Sequence, residues 1–219
     1  MRSILIKSLV AAAVACTGQA ASAQLPSSRS GSSSMTYLSD QEGMAALAVF
    51  GRCYAKEEPE KALRLLATEP SSRGEAQTYI ALFKKSDEYC LGDVSSMSAD
   101  LALVRGAIAE GLFKANVPLP PAMVLPAPAP AEVRNLAGAA RCYAAAHREE
   151  VGKLIASTKP GSKAEYEAVS ALMPDFFKCV PEGAKFSFGA TVIRFRLAEA
   201  LLRTAPPAAA AASAAAGAK

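Results

Sequence analysis

Four of the five cysteines form two equally spaced pairs, and thiols could do chemistry as nucleophiles, zinc ligands or disulfides. Cys53 precedes Cys90 by the same interval that separates Cys142 from Cys179. A catalytic thiol would normally occur in CxxC or as a free cysteine, and neither is expected here. Zinc is the competing interpretation, but no two cysteines are close in sequence and no histidine pair accompanies them. We therefore predict two disulfides, with no metal and no catalytic cysteine.

Carboxylates could act as a general acid and base, but the sequence singles out no such pair, and we assign no catalytic residue. Glu110 and Glu199 are the nearest candidates. Each stands five residues after an arginine, Arg105 or Arg194, on the opposite side of a helix. We expect the arginines to bury their stems and donate to carbonyls or a carboxylate. We expect the glutamates to cap a helix or face solvent. The alternative is that the arginines contact an anion or another ligand.

His147 is the single histidine, and no nucleophile arrangement accompanies it. We place it at a helix end, where a cation favours the helix dipole. The glycines form neither GxGxxG nor a phosphate-binding loop, and the haem-attachment motif CxxCH is absent. We expect no cofactor.

An internal repeat explains the paired cysteines. The tetrapeptide "RCYA" begins at Arg52 and again at Arg141, 89 residues later. The same offset superimposes both cysteines, the arginines and the glutamates, so we predict a duplication. Four cysteines allow three connectivities, and duplication favours the local pairs Cys53–Cys90 and Cys142–Cys179. The repeated polar residues that we expect to be structural are Arg52, Arg141, Arg105, Arg194, Glu110 and Glu199.

Helical patterns fill both copies, and we predict an all-α protein of two tandem bundles of about four helices each. Capping patterns start helices at Ser39–Glu42 and at Ser72–Glu75, the latter matched by Ser162–Glu165. The third helix of each copy should end near its second cysteine. The segment "KFSFGATVIRF" from Lys185 comes nearest to a strand, but its counterpart starts a helix, so we predict a helix there too.

The first 23 residues have the features of a signal peptide. Arg2 and Lys7 precede a short apolar run, and small residues end at Ala23, where we expect cleavage. The run is too short to span a bilayer. Lipidation at Cys16 is the alternative. Removing the leader takes the formal charge from +4 to +2, and no basic block suggests nucleic acid.

The remaining boundaries follow composition. We predict a flexible linker at 24–38, the first helical repeat at 39–116 and a semi-extended, proline-rich connector at 117–131. The second repeat should cover 132–204, and a disordered Ala/Pro-rich tail 205–219.

The order of leader, two cysteines and "RGAIAEGL" resembles uncharacterised exported Ala-rich proteins of alphaproteobacteria, which carry an RGxxAE helix. The resemblance covers residues 40–113 and their duplicate, where "RFRLAEAL" departs from the motif. It implies an envelope protein and brings no activity with it.

We expect a periplasmic or secreted, non-catalytic module that binds another envelope protein or a small ligand. The alternatives are an envelope hydrolase using paired glutamates and a purely structural component. The two copies differ most in the loop after the third helix, where Phe186 and Phe188 occur only in the second. They either pack in the core or form part of a contact site. The oligomeric state is not predicted.

Overall fold

The computed structural model describes residues 40–83, 88–91, 99–183 and 188–204, and these contain eight α-helices. The first four are α1 (Asp40–Glu57), α2 (Pro59–Ala67), α3 (Arg73–Phe83) and α4 (Leu101–Lys114). The second four are α5 (Leu136–Ala146), α6 (Arg148–Ser157), α7 (Lys163–Phe176) and α8 (Ala190–Arg203). Short 3-10 turns lie at Glu88–Cys90, Pro121–Met123, Pro130–Glu132 and Phe177–Cys179. The all-α fold is confirmed for these residues.

Several predictions from sequence fall outside the described residues. They are the signal peptide, the linker at 24–38, the tail at 205–219 and the side chains of Ser39, Lys185 and Phe186. None of the described helices is both long enough and apolar enough to cross a membrane.

The capping serines start their helices as the sequence indicates. Ser72 Oγ accepts from the backbone N–H of Glu75 at 3.0 Å, and Ser162 Oγ accepts from that of Glu165 at 3.1 Å. These bonds satisfy N–H groups that the first turn of a helix leaves free. Helix α8 begins later than expected, because Gly189 is its N-cap and Phe188 precedes the helix.

Both predicted disulfides are present. Cys53–Cys90 and Cys142–Cys179 join cysteines 37 residues apart, with Cα–Cα distances of 5.5 and 5.8 Å. The second cysteine of each pair lies in a 3-10 turn beyond the third helix of its half, since α3 ends at Phe83 and α7 at Phe176. Each bridge therefore ties a first helix to the segment that follows a third helix.

Helices α4 and α8 form the centre of the molecule. Helix α1 packs on α4, α5 packs on α8, and α4 and α8 pack on each other. Every residue from Val104 to Leu112 is buried, as is every residue from Ile193 to Leu201. A helix buried on all sides is a core helix rather than an amphipathic one. One apolar core lies in each half, and Phe195 of α8 belongs to the core of the first.

Glycines permit the close approach of these helices. A Cβ on Gly51 would collide with the backbone carbonyl of Ala107, and one on Gly111 would collide with the carbonyl of Gly51. A Cβ on Gly106 would collide with Phe195. Positions 106 and 195 correspond under the 89-residue offset, so α4 and α8 meet where a position faces its own counterpart. A pseudo-twofold axis would produce this arrangement.

The proline-rich connector is more structured than expected. It contains two 3-10 turns, and Met123 is buried. The backbone N–H of Leu125 donates to the carbonyl of Arg203 at 2.7 Å, and Leu125 forms an isolated parallel bridge with Thr204. The connector therefore packs against the end of α8.

Candidate functional site

Arg105 is fully buried and links three elements. Its Nε and Nη2 donate to Glu199 Oε1 at 2.9 and 2.7 Å, and its Nη1 donates to Glu75 Oε1 at 3.2 Å. The same guanidinium donates to the carbonyls of Leu65 and Leu66 at 2.8 and 2.9 Å. Arg105 thus joins the end of α2, the start of α3 and α8.

Arg194 makes the matching set of contacts in the other half. Its Nε and Nη2 donate to Glu110 at 2.7 and 3.0 Å, and it also donates to the carbonyls of Leu154 and Ile155. Glu165 lies 3.8 Å away. Each arginine therefore binds the glutamate of the other half, as residues do across a twofold interface.

The correspondence has one change of register. Leu154 and Ile155 follow Leu65 and Leu66 by 89 residues, whereas Glu165 follows Glu75 by 90. Because α3 and α7 are continuous helices over the next turns, the offset of 90 also applies to their later residues. The duplication itself stays a prediction, but the two sets of contacts give corresponding positions.

Glu110 and Glu199 do not face solvent, so that expectation was wrong: both are buried. Burial alone raises the pKa of Glu110, but hydrogen bonds and charge from Arg194 and Lys114 outweigh it and leave the pKa below its ordinary value. Burial likewise opposes ionisation of Glu199, and the charges of Arg105, Arg196 and Arg203 leave its pKa lowered as well. A carboxyl held ionised in this way is a poor general acid.

The sequence did not reveal four further members of this buried network. They are Glu75, Glu165, Arg196 and Arg203. The two glutamates were assigned only to capping patterns with Ser72 and Ser162. Their carboxylates instead accept from the residue before each serine, Glu75 from the N–H of Ser71 and Glu165 from that of Gly161. The pKa of Glu165 is raised by burial. The hydrogen bond from Thr191 and the charge of Arg194 lower that pKa, but by less than burial raises it. Its buried Oε1 has no hydrogen-bond partner among the described residues.

An open hollow of about 300 Å³ lies in the second half. Helices α5, α7 and α8 form its walls, and its floor and rim are almost entirely apolar. The residues that line it are Leu136, Tyr166, Val169, Ser170, Met173, Phe176, Phe177, Phe188, Ala190 and Ile193. Pockets of this size and lining are at the small end of those that hold organic ligands.

Two positions that line the hollow carry smaller side chains than the corresponding positions of the first half. In the first half, Phe83 packs against Tyr79 at 4.7 Å and Phe50 at 5.9 Å between ring centroids. The corresponding residues of the second half are Met173, Val169 and Ala139. Met173 and Val169 line the hollow, and all three are smaller than the aromatic residues that they replace. The second half therefore has smaller side chains at these three positions, while the buried ring of Phe176 packs on Tyr143 as Phe83 packs on Tyr54.

Aromatic side chains surround the opening. Tyr166, Phe177 and Phe188 are 65%, 52% and 45% exposed, respectively. Phe188 thus lies at the rim and outside the core, and Phe186 is outside the described residues. Among the lining residues that the structure describes, Ser170 and Tyr166 carry hydroxyl groups.

The other residues singled out from the sequence lie elsewhere. Arg52 is exposed and Arg141 is half-buried, so the two "RCYA" arginines differ in their surroundings. His147 stacks on Tyr143 with ring centroids 4.4 Å apart and lies 3.2 Å from Glu150. Within residues 40–83, 88–91, 99–183 and 188–204, no group of three His, Cys, Asp or Glu is arranged to hold a metal ion.

Comparison with models of known families, with curated proteins and with solved structures finds no match to this chain. A functional conclusion therefore has to come from the geometry of its residues.

Proposed function

We propose that this protein is a non-catalytic binding module that holds a small apolar ligand in the hollow of its second half. The observation that carries the proposal is the replacement of Tyr79 and Phe83 by Val169 and Met173 at the corresponding positions. The space is walled by apolar side chains, and an apolar molecule gains roughly 25 cal/mol for each Å² that it removes from water. The ligand class is an uncharged aromatic or short aliphatic compound, because none of the described residues that line the hollow is charged.

The proposal includes export to an oxidising compartment. Disulfides form and persist in extracellular and periplasmic environments, and this chain has two. The leader-like first 23 residues and the resemblance to exported Ala-rich proteins support a periplasmic or secreted location. Cleavage after Ala23 rather than lipidation at Cys16 is the form that we propose.

The hydrolase alternative receives little support from the paired glutamates. A glycosidase-type mechanism requires two carboxyl groups that reach a substrate in an open cleft. Glu110 and Glu199 are instead buried and bound by Arg194 and Arg105. Their role is better explained by the contact between α4 and α8.

A probe-binding experiment tests the proposed function. The uncharged dye N-phenyl-1-naphthylamine fluoresces in apolar surroundings, and we expect saturable binding of one dye per chain. Met173→Phe introduces the residue found at the corresponding position of the first half. The larger ring should fill the hollow and weaken dye binding by at least about tenfold, or roughly 1.4 kcal/mol.

Ala171→Phe is the matched control. Ala171 lies on the same helix, is exposed and does not line the hollow, so this variant should bind the dye like the wild type. Circular dichroism should show that both variants are folded. Dye binding that is unsaturable, or equal in Met173→Phe and wild type, would exclude the hollow as the binding site.

A further inference from the structure

A second, smaller cavity lies where the two halves meet, and arginines dominate its walls. Its volume is about 10 Å³, room for one species the size of a water molecule. The turn between α2 and α3 supplies one wall, and helices α5 and α8 supply the others. The lining residues are Glu69, Pro70, Ala137, Arg141, Arg196, Glu199, Ala200 and Arg203.

Glu199 is the buried carboxylate of this cavity, and three guanidinium groups already bind it. Its Oε1 accepts from Arg105 at 2.7 Å and from Arg203 at 3.0 Å, and its Oε2 accepts from Arg196 at 3.3 Å. Arg196 and Arg203 are themselves buried. One negative charge therefore faces three positive charges.

Two N–H donors at the cavity have no acceptor. Arg203 is only 5% exposed, and its Nε has no hydrogen-bond partner among the described residues. The buried Nε of Arg141 also has none. A buried donor without an acceptor costs about 1–3 kcal/mol, and more when it is charged. Both donors belong to side chains that line the same small space.

The balance of charge favours an anion over water. Arg105 is shared with Glu75, so two buried carboxylates face the guanidinium groups of Arg105, Arg196 and Arg203. Arg141 adds a fourth, and the remaining carboxylate at the cavity, Glu69, is exposed. Desolvated charge without a partner is strongly unfavourable, so a counter-ion would stabilise this arrangement.

The corresponding site in the first half has no such excess of positive charge. The position that corresponds to Arg196 is Ala107, and the glutamate there, Glu110, binds Arg194 and Lys114. The counterpart of Arg141 is the exposed Arg52. The excess of positive charge thus occurs around Glu199 and not around Glu110.

We propose that this cavity binds a single monatomic anion, chloride under physiological conditions, between Arg141, Arg196 and Arg203. The volume excludes phosphate, sulfate and carboxylates, which leaves halides. Chloride is somewhat larger than water, and the half-buried Arg141 can move slightly to admit it.

Anomalous diffraction and thermal unfolding test the site together. Crystals grown in sodium bromide should show one anomalous peak within reach of Arg141 and Arg203. The melting temperature should rise saturably with sodium chloride when sodium gluconate holds the ionic strength constant, since a ligand that binds the folded state stabilises it. Gluconate is too large for the cavity and should not replace chloride.

Arg141→Ala and Arg52→Ala form a matched pair, because each removes one positive charge from the same position of the two RCYA copies. Arg141→Ala should weaken the apparent affinity for chloride by at least tenfold, whereas Arg52→Ala should leave it unchanged. Arg141 makes no ion pair within the described residues, so its loss should not unfold the protein. An absent bromide peak, or equal stabilisation by chloride and gluconate, would overturn the proposal and leave the cavity to a water molecule.

Discussion

Arg105 and Arg194 each stabilise the end of a short helix and also connect that helix to the other half of the molecule. Each donates to carbonyls at the C-terminal end of a short helix, α2 or α6, where the last turn leaves acceptors free. Each also brings a positive charge to the negative end of that helix dipole. Their pairing with Glu199 and Glu110 then connects that helix end to the opposite half of the molecule.

The first prediction concerns Glu110→Gln. Removing one partner of a buried ion pair leaves the other uncompensated, so we expect a loss of about 3–5 kcal/mol in the free energy of unfolding near pH 7. The pKa of Glu110 lies below its ordinary value of 4.5 in the folded state. Its stabilising contribution is therefore complete above that value and is lost as the pH falls through the folded-state pKa. Urea unfolding between about pH 7 and pH 3 should show the difference between wild type and variant shrinking with acid.

Glu167→Gln serves as the control for that experiment. Glu167 is exposed and pairs with Lys163 at 3.4 Å, an arrangement worth little in water. We expect a change below about 0.5 kcal/mol at any pH in the range. A pH-independent loss in Glu110→Gln would show that the charge of Glu110 is not what stabilises the fold.

At the scale of the helices, α1 and α4 cross at very short range. Gly51 and Gly111 face each other's helix with no room for a side chain. The contact brings backbone atoms of α1 and α4 together.

The second prediction compares two glycines of α1. Gly51→Ala should destabilise the protein by about 1–3 kcal/mol, because the new methyl group would meet the backbone of α4. Gly43→Ala, in the same helix, has nothing within 4 Å of the new atom and should stabilise the protein by up to about 1 kcal/mol. Thermal unfolding of the two variants measures both changes. Stabilisation by both substitutions would mean that α1 and α4 are not in close contact.

The sequence predicted the helices because their signals are local: Ser72 and Ser162 each identify a helix start without reference to a distant residue. It predicted the two disulfides because the cysteine spacing recurs in the repeat. It could not pair Arg105 with Glu199, since each glutamate points away from the arginine of its own helix and only the contact between α4 and α8 brings the partners together. The hollow was equally hidden, because Met173 becomes informative only once α7 is aligned with α3.

For the molecule as a whole, the two halves are interlocked. Arg105 of the first needs Glu199 of the second, Arg194 needs Glu110, and Phe195 fills the core of the first half beside Gly106. Each half therefore buries charged groups that also bind partners in the other. The tandem bundles expected from the repeat therefore share one central contact.

The third prediction follows from this interlock. Fragments 39–116 and 132–204, produced separately, should lack a cooperative unfolding transition, whereas an equimolar mixture should regain helical circular dichroism and a cooperative transition. Self-association is disfavoured for the second fragment, because two Phe195 rings would meet where Phe195 now meets Gly106. If each fragment alone melts cooperatively near the temperature of the intact chain, the halves are independent domains.

The sequence separation of Arg105 and Glu199 also affects when the chain can fold during synthesis. Their 94-residue separation means that a ribosome needs roughly 5–20 s to supply the partner of Arg105 after that arginine has been made. Until then Arg105 has only one of its two buried carboxylate partners, and α4 lacks the ring of Phe195. The growing polypeptide should therefore stay open until α8 has been synthesised. Delayed collapse of this kind suits a protein that has to be threaded through a membrane before it folds, as the proposed export requires.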